Sequence, residues 1–331
     1  MARPGRPSKE PRDLGVPDLI SLGYLAAFCP PALVDAVLQE TGRYEQRTRL
    51  LPSRVVVYYV LAMALFSAEG YRELFRLLVE GLRAVDPSLP ITIPQKSSFS
   101  KARERVGSEP LRHLFEAMAE PLASSAMPGA FYREWRLMSI DGSTMDVPDT
   151  AANEAHFGRP AVSRGERSAF PKLRWVALGE VGSRAVVGLQ AGPYHSAEIE
   201  LTRPLIPLLK PGMLCLCRLV TTVLDPARAP AAEIAALYAE RWEVEISIKE
   251  VKSTQGRPHA VLRSKKPDGV VQELYGFLIV HYALRRLLCH ASAAEGTDPD
   301  RLSFITAQRA VRRKLSRPES FSPQWTGRDD G

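Results

Sequence analysis

The sequence predicts a mixed α/β core held between two helical regions, and three observations carry that prediction. Apolar residues recur at helical spacing from Asp18 to about Leu122. At Arg136 the texture changes to short strand-like runs with a hairpin signal between two of them. From about Asp268 to Leu315 helical periodicity returns.

Each element has a local reason. "PPALVDAVLQETG" opens after a proline pair, which suits a first helical turn, and stops near Gly42. "SRVVVYYVLAMALF" is apolar all round and longer than an ordinary strand, so it predicts a buried helix. "YRELFRLLVEGLR" and "PLRHLFEAMAEPLA" are amphipathic, and the basic "QKSSFSKARERVG" between them is either a phosphate-contacting helix or a solvated one. "RLMSID" is a short apolar run ending on Asp141. "PKLRWVALGEV" and "SRAVVGLQAGPY" read as strands joined at a Gly-Ser turn. "SAEIELTRPLIPLLK" predicts a helix from Ser196 that Pro204 and Pro207 shorten or bend. "PGMLCLCRLVTTVL" reads as strand, and its lack of Gly or Pro between Cys215 and Thr222 predicts one continuous or kinked strand rather than a hairpin. A long helix then runs from the approach at Asp225-Pro226 to Gly256 and Pro258. "DGVVQELYGFLIVHYALRRLLCHAS" and "DRLSFITAQRAVRRKLS" close the chain as helices. The expected division is a disordered basic tail over 1–17, a helical domain over 18–125, a core over 130–262, C-terminal helices over 263–315 and a disordered tail over 316–331.

The 331 residues carry a formal net charge of +7, which favours polyanionic partners, nucleic acid first. The basic segments "KARER", Arg285-Arg286 and Arg312 to Lys314 are candidate phosphate contacts. Four cysteines without a framework spacing suit a reducing cytosol. Cys215 and Cys217 lack a second ligand pair and read as core thiols. The basic N-terminus has no apolar core, and no apolar run reaches membrane-spanning length, so the expectation is a soluble cytoplasmic protein.

Two stretches carry candidate chemistry. In "YAERWEVEISIKEVK" a helical turn of 100° per residue places Tyr238, Arg241, Glu245 and Lys252 within one narrow stripe. Leu237, Val244, Ile248 and Val251 form the adjacent apolar arc, and Glu243 and Glu250 are expected to face solvent. The stripe is either a surface Arg–Glu pair of a few tenths of a kcal/mol (about 0.3–0.5) or a functional edge. In "SIDGSTMDVPDT" Asp141 ends an apolar run beside Gly142, a placement that suits either a divalent metal ligand or an ordinary turn aspartate.

Taken together, these stretches resemble the bacterial insertion-sequence transposases of the insertion element 4 family. The spacing Tyr238–Arg241–Glu245–Lys252 resembles the family signature, "DGSTMDVPDTAANEAHFGRP" its first catalytic-aspartate region, and the helices from Leu19 and from Leu262 its flanking domains. The resemblance covers roughly residues 15–315 and implies a ribonuclease-H-like core. It implies that Asp141 and Glu245 are catalytic, holding Mg²⁺ or Mn²⁺, and that Tyr238, Arg241 and Lys252 contact DNA at the element's terminal inverted repeats. It implies action on DNA in the bacterial cytoplasm, at the nucleoid, by homo-oligomers or by mixed oligomers with an intact relative.

The chain departs from the family pattern at one place. Relatives carry the second catalytic aspartate just after the strand equivalent to "PGMLCLC", followed by a β-rich insertion. Here Cys217 runs straight into "RLVTT", as if both had been excised in frame. Asp225 is the nearest carboxylate and belongs to the segment leading into the last core helix, which makes it a poor substitute. Two outcomes follow: a DNA-cutting transposase with an incomplete triad, or a non-catalytic DNA-binding remnant that inhibits an intact relative.

Overall fold

The fold is that of a computed structural model, which describes residues 24–45, 51–77, 94–161, 168–217, 225, 227, 230–256 and 261–315. Five helices form the N-terminal layer: α1 (Tyr24–Phe28), α2 (Pro31–Glu40), α3 (Ser53–Leu65), α4 (Lys96–Val106) and α5 (Glu109–Met118), with a further helical segment over 71–77. All of α3 except Arg54 is buried, as its all-round apolarity requires. It packs against α10 (Pro267–Glu295), the 29-residue helix at the centre of the molecule.

The sheet contains β1 (Phe131–Tyr132), β2 (Trp135–Asp146), β3 (Lys172–Glu180), β4 (Val186–Pro193) and β5 (Met213–Leu216). β2, β3 and β4 form an antiparallel meander, and β5 pairs parallel to β2 on its other side, from Arg136↔Met213 to Ser139↔Leu216. This mixed order agrees with a ribonuclease-H-like core. The hairpin between β3 and β4 lies where the Gly-Ser signal put it, with Gly182 and Arg184 both at positive φ. Between α6 (Ala151–Phe157) and β5, α7 (Glu198–Thr202) passes into a 3₁₀ turn over Arg203–Leu208 that contains both prolines.

Period-2 alternation assigns the two faces of β2. Met138 and Ile140 pack with Val176, Leu178, Leu205 and Cys215 on the α7 side, while Leu137 packs with Val181, Leu214 and Leu216 on the other.

Several expectations need correction. Asp141 lies in the middle of β2, opposite Ala177 of β3, and not at a strand end; the pairing with β3 carries the strand five residues further. The single long helix is a succession of four segments: α8 (Ala231–Leu237), a 3₁₀ turn (Tyr238–Arg241), α9 (Trp242–Lys249) and a π segment (Glu250–Gln255). The last helices of the chain, α10 and α11 (Phe304–Leu315), form as expected. The strand expected to continue through Thr222 is described only to Leu216, with a bridge at Cys217, and 218–224 lie outside the described residues. Both tails do as well.

Candidate active site on the edge of the sheet

β2 emerges from the core at Asp141. Residues 137–140 are buried, whereas 141–144 are half-buried. β5 stops beside Ser139, two residues short of Asp141, so that flank of β2 has no paired strand next to Asp141 among the described residues. Helix α9 packs across β2 and β3, with Val244 against Gly179 and with Val244, Ile248 and Val251 buried beneath the stripe.

The predicted stripe meets the predicted aspartate. Arg241 donates to Glu245 Oε1 at 2.8 Å and lies 3.6 Å from Asp141 Oδ1, so one guanidinium joins the two carboxylates. Two residues along β2, on the same face, Ser143 Oγ accepts from Lys252 Nζ at 2.9 Å. Tyr238 opens the 3₁₀ turn with its backbone, and its side chain lies outside the described atoms. Asp225 is exposed, and its carboxylate accepts the backbone N–H of Ala227 at 2.9 Å, a local turn bond.

The electrostatics follow from this placement. Burial pushes the Asp141 carboxyl above the usual carboxylate range, and Glu245 and Glu198 push it the same way, against the Gly142 N–H and Arg241. Burial holds Lys252 below the usual lysine range, helped by Lys172 and opposed by Asp146. Glu198 and Lys172 are neighbours that sequence reasoning missed. Gly142 faces the opposite side of the sheet from Asp141, and a Cβ there would come within 3.1 Å of Glu198 Cδ. The only sequence signal for Glu198 is an acidic residue in a helix's first turn, which is common.

Other expected solvent or DNA contacts are structural. Glu243 pairs with Arg184. Glu250 is buried, accepting from Arg285 and His281 of α10, the latter at 3.0 Å. Burial raises the Glu250 carboxyl, but His281 and Arg285 outweigh it and hold it below the usual range. The partners Arg184, His281 and Arg285 come from elements distant in sequence, and these tertiary pairs draw Glu243 and Glu250 out of solvent. Within "KARER", Arg103 is buried in a polar network of α10 rather than presented to a phosphate. Arg285 is likewise buried, and Arg312 donates to the Leu65 carbonyl.

Whether a divalent ion fits can be judged from the donors. Two carboxylates already share one cationic group, and Mg²⁺ is commonly held by one or two carboxylates with water completing its shell. The residues therefore fit one ion. Among the described residues no group of three His, Cys, Asp or Glu side chains is placed to hold a metal. All four cysteines are free thiols. No described helix is long and apolar enough to cross a membrane.

Residues 19–116 match the family described as insertion element 4 transposase N-terminal, and residues 146–282 match the transposase DDE domain. The chain is 27% identical to "Transposase InsG for insertion sequence element IS4" of Escherichia coli (strain K12), over 383 aligned positions covering 91% of this chain and 85% of that protein. Because 91% of 331 residues is about 301, about 80 of those positions have no counterpart in this chain. It is 25% identical to the "Putative transposase InsZ" of the same organism over 186 positions, covering 56% of this chain and 60% of that protein. No solved structure matches. The DDE domain implies use of a divalent metal ion and action on the DNA of element ends. A helical N-terminal layer, a mixed sheet and these matches over both parts make one case: the chain belongs to the insertion element 4 family of DDE transposases.

Proposed function

We propose that this transposase binds the ends of its insertion element but is impaired in cutting them by itself, because the second carboxylate of its triad is missing. The observation that carries the reading is the meeting of Asp141 and Glu245 on one guanidinium, at a place where the described residues supply no third acid to the pair. From Met213 to Leu224 the sequence contains no carboxylate, and Asp225 is occupied in a local turn. In this reading Asp141 and Glu245 hold a divalent ion, Mg²⁺ or Mn²⁺. When bound, such an ion activates the attacking water or 3′-hydroxyl and stabilises the leaving oxygen.

The chain's own residues bind and orient the DNA. Tyr238, Arg241 and Lys252 contact the cleaved end, Lys252 being held in place by Ser143. The flanking duplex follows β2 towards a groove of about 940 Å³ lined by Tyr71, Lys96, Arg263, Lys265 and Lys266. Lys172, paired with Asp146, lies between the two. Asp141 and Asp146 are five residues apart, about 17 Å along a strand, and the Leu262 N–H donates to the Asp146 carbonyl at 3.0 Å, which leads directly to Arg263 and Lys265. That span corresponds to about five base pairs at 3.4 Å each.

A site for two ions would need more carboxylate ligands than Asp141 and Glu245 supply. Losing one member of a catalytic unit removes most of its rate. The same observation supports a second reading, in which the chain is a DNA-binding partner that forms inactive mixed oligomers with an intact relative. The test is strand cleavage of duplexes carrying the element ends, with Mg²⁺ and then Mn²⁺, with and without an intact relative. At most trace cleavage is expected from this chain alone. Robust cleavage that requires Glu245 and disappears in Asp225→Ala would overturn the reading.

A further inference from the structure

The position of Arg241 carries an inference about how the site is loaded. It rests on the reading that Asp141 and Glu245 hold the divalent ion. Arg241 reaches Glu245 Oε1 at 2.8 Å and Asp141 Oδ1 at 3.6 Å, so its guanidinium neutralises the two carboxylates that the ion would need. Arg241 is also the last residue of the 3₁₀ turn, immediately before α9. Its guanidinium lies 5.8 Å from the ring of Trp242, which is 60% exposed, while the Arg241 side chain is itself half-buried.

We propose that Arg241 is a positioning residue exchanged between protein and DNA: without DNA it holds the Asp141–Glu245 pair, and a bound phosphate draws it away and frees that pair for the divalent ion. A planar fork of donors suits both partners, since guanidinium pairs with carboxylate and with phosphate in the same bidentate manner. The exchange makes DNA binding and ion binding cooperative. Linkage then requires each ligand to tighten the other by the same factor.

The measurement is Mn²⁺ binding by electron paramagnetic resonance to the full-length chain, at fixed pH and without DNA. Arg241→Gln is expected to bind Mn²⁺ about tenfold more tightly than the wild type, within the usual range of coupling between sites. Arg241→Lys retains the cation and is expected to return the affinity towards the wild-type value. In both backgrounds Asp141→Asn and Glu245→Gln should each abolish the binding. A duplex carrying the element end should tighten Mn²⁺ binding to the wild type by a similar factor and leave Arg241→Gln nearly unchanged. A purely structural arginine would move thermal stability without moving this ratio. Asp141- and Glu245-dependent binding that Arg241→Gln leaves equal or weakens overturns the exchange and spares the ion site. Mn²⁺ binding that ignores Asp141 and Glu245 in every variant overturns both.

Discussion

One arginine ties the two helical regions together. Arg103 of α4 donates to Gln272 at 2.7 Å, to Ser264 at 2.8 Å and to the Gly269 carbonyl at 3.0 Å, and pairs with Glu273 at 3.3 Å. Its side chain is buried, as is Glu273. Replacing it by methionine keeps the apolar stem but leaves Glu273 charged and buried. The expected loss of stability is about 3–5 kcal/mol, the range for removing one partner of a buried pair, measured by denaturant unfolding. A surface phosphate contact would instead lower DNA affinity and leave stability within about 0.5 kcal/mol. Asp300 makes a second prediction. Burial pushes its carboxyl up to about 6; Glu243 and Asp298 add to this, while Arg184 and Arg285 oppose it. A folded-state value above the unfolded one contributes stability that is present at low pH and lost as pH rises through about 6. Asp300→Asn should therefore lessen the decline in stability between about pH 4 and pH 6, relative to wild type, in unfolding midpoints measured across that window.

At the scale of elements, the contact between α3 and α10 depends on a glycine. A Cβ at Gly276 would stand 2.8 Å from Val60 Cγ1 and 3.3 Å from the Val60 carbonyl oxygen. Alanine gains about 1 kcal/mol of helix propensity over glycine, but overpacking costs about 1–3 kcal/mol, and the backbone carbonyl leaves little room to yield. Gly276→Ala is thus expected to lower stability, and the double variant with Val60→Ala to lose less than the sum of the two singles, read from a double-mutant cycle. Nothing in the sequence marks Gly276 as a packing position, since a lone glycine inside a helical pattern reads only as a weak point. The helices and the β3–β4 hairpin were legible because periodicity and the turn at Gly182 are local signals. The stripe of Arg241, Glu245 and Lys252 was legible too: the three still meet β2 on one face, although only Glu245 lies in α9 and the others lie in the 3₁₀ and π segments beside it. The placements of Glu243 and Glu250 were not. The partners Arg184, His281 and Arg285 come from β3–β4 and α10, distant in sequence, and such tertiary pairs leave no trace in local periodicity. Asp141 was misplaced at a strand end for a similar reason: the polar run after it continues as strand only because β3 pairs with it up to Lys172.

At the scale of the whole molecule, the question is how a chain with a net charge of +7 keeps enough surface cations for DNA when two described arginines are buried as struts. Arg103 and Arg285 are spent on internal carboxylates, where a planar fork satisfies several acceptors at once. Lys96, Lys265 and Lys266 stay at the surface around the groove, with Lys266 paired to Glu104 at 2.9 Å. Lys96 lies 5.9 Å from the Tyr71 ring, which also stacks under Arg263 at 5.9 Å, so the groove wall presents cations held over an aromatic face. If duplex DNA follows β2 into this groove, each lysine that meets a phosphate releases condensed counterions, and the logarithm of affinity falls against the logarithm of salt with a slope of about 0.9 per contact. Lys96→Ala and Lys265→Ala are expected to reduce that slope by about 0.9 each, in fluorescence anisotropy with a duplex extending at least about ten base pairs beyond the element end. Both side chains are exposed, so unfolding midpoints should stay close to wild type. A duplex cut back to about four base pairs beyond the element end would stop before the groove, and there the two variants should bind like the wild type. An unchanged slope on the long duplex would place the DNA on another face, whereas an equal loss on both lengths would mean that the lysines act through the general field of the protein and not through phosphates in the groove.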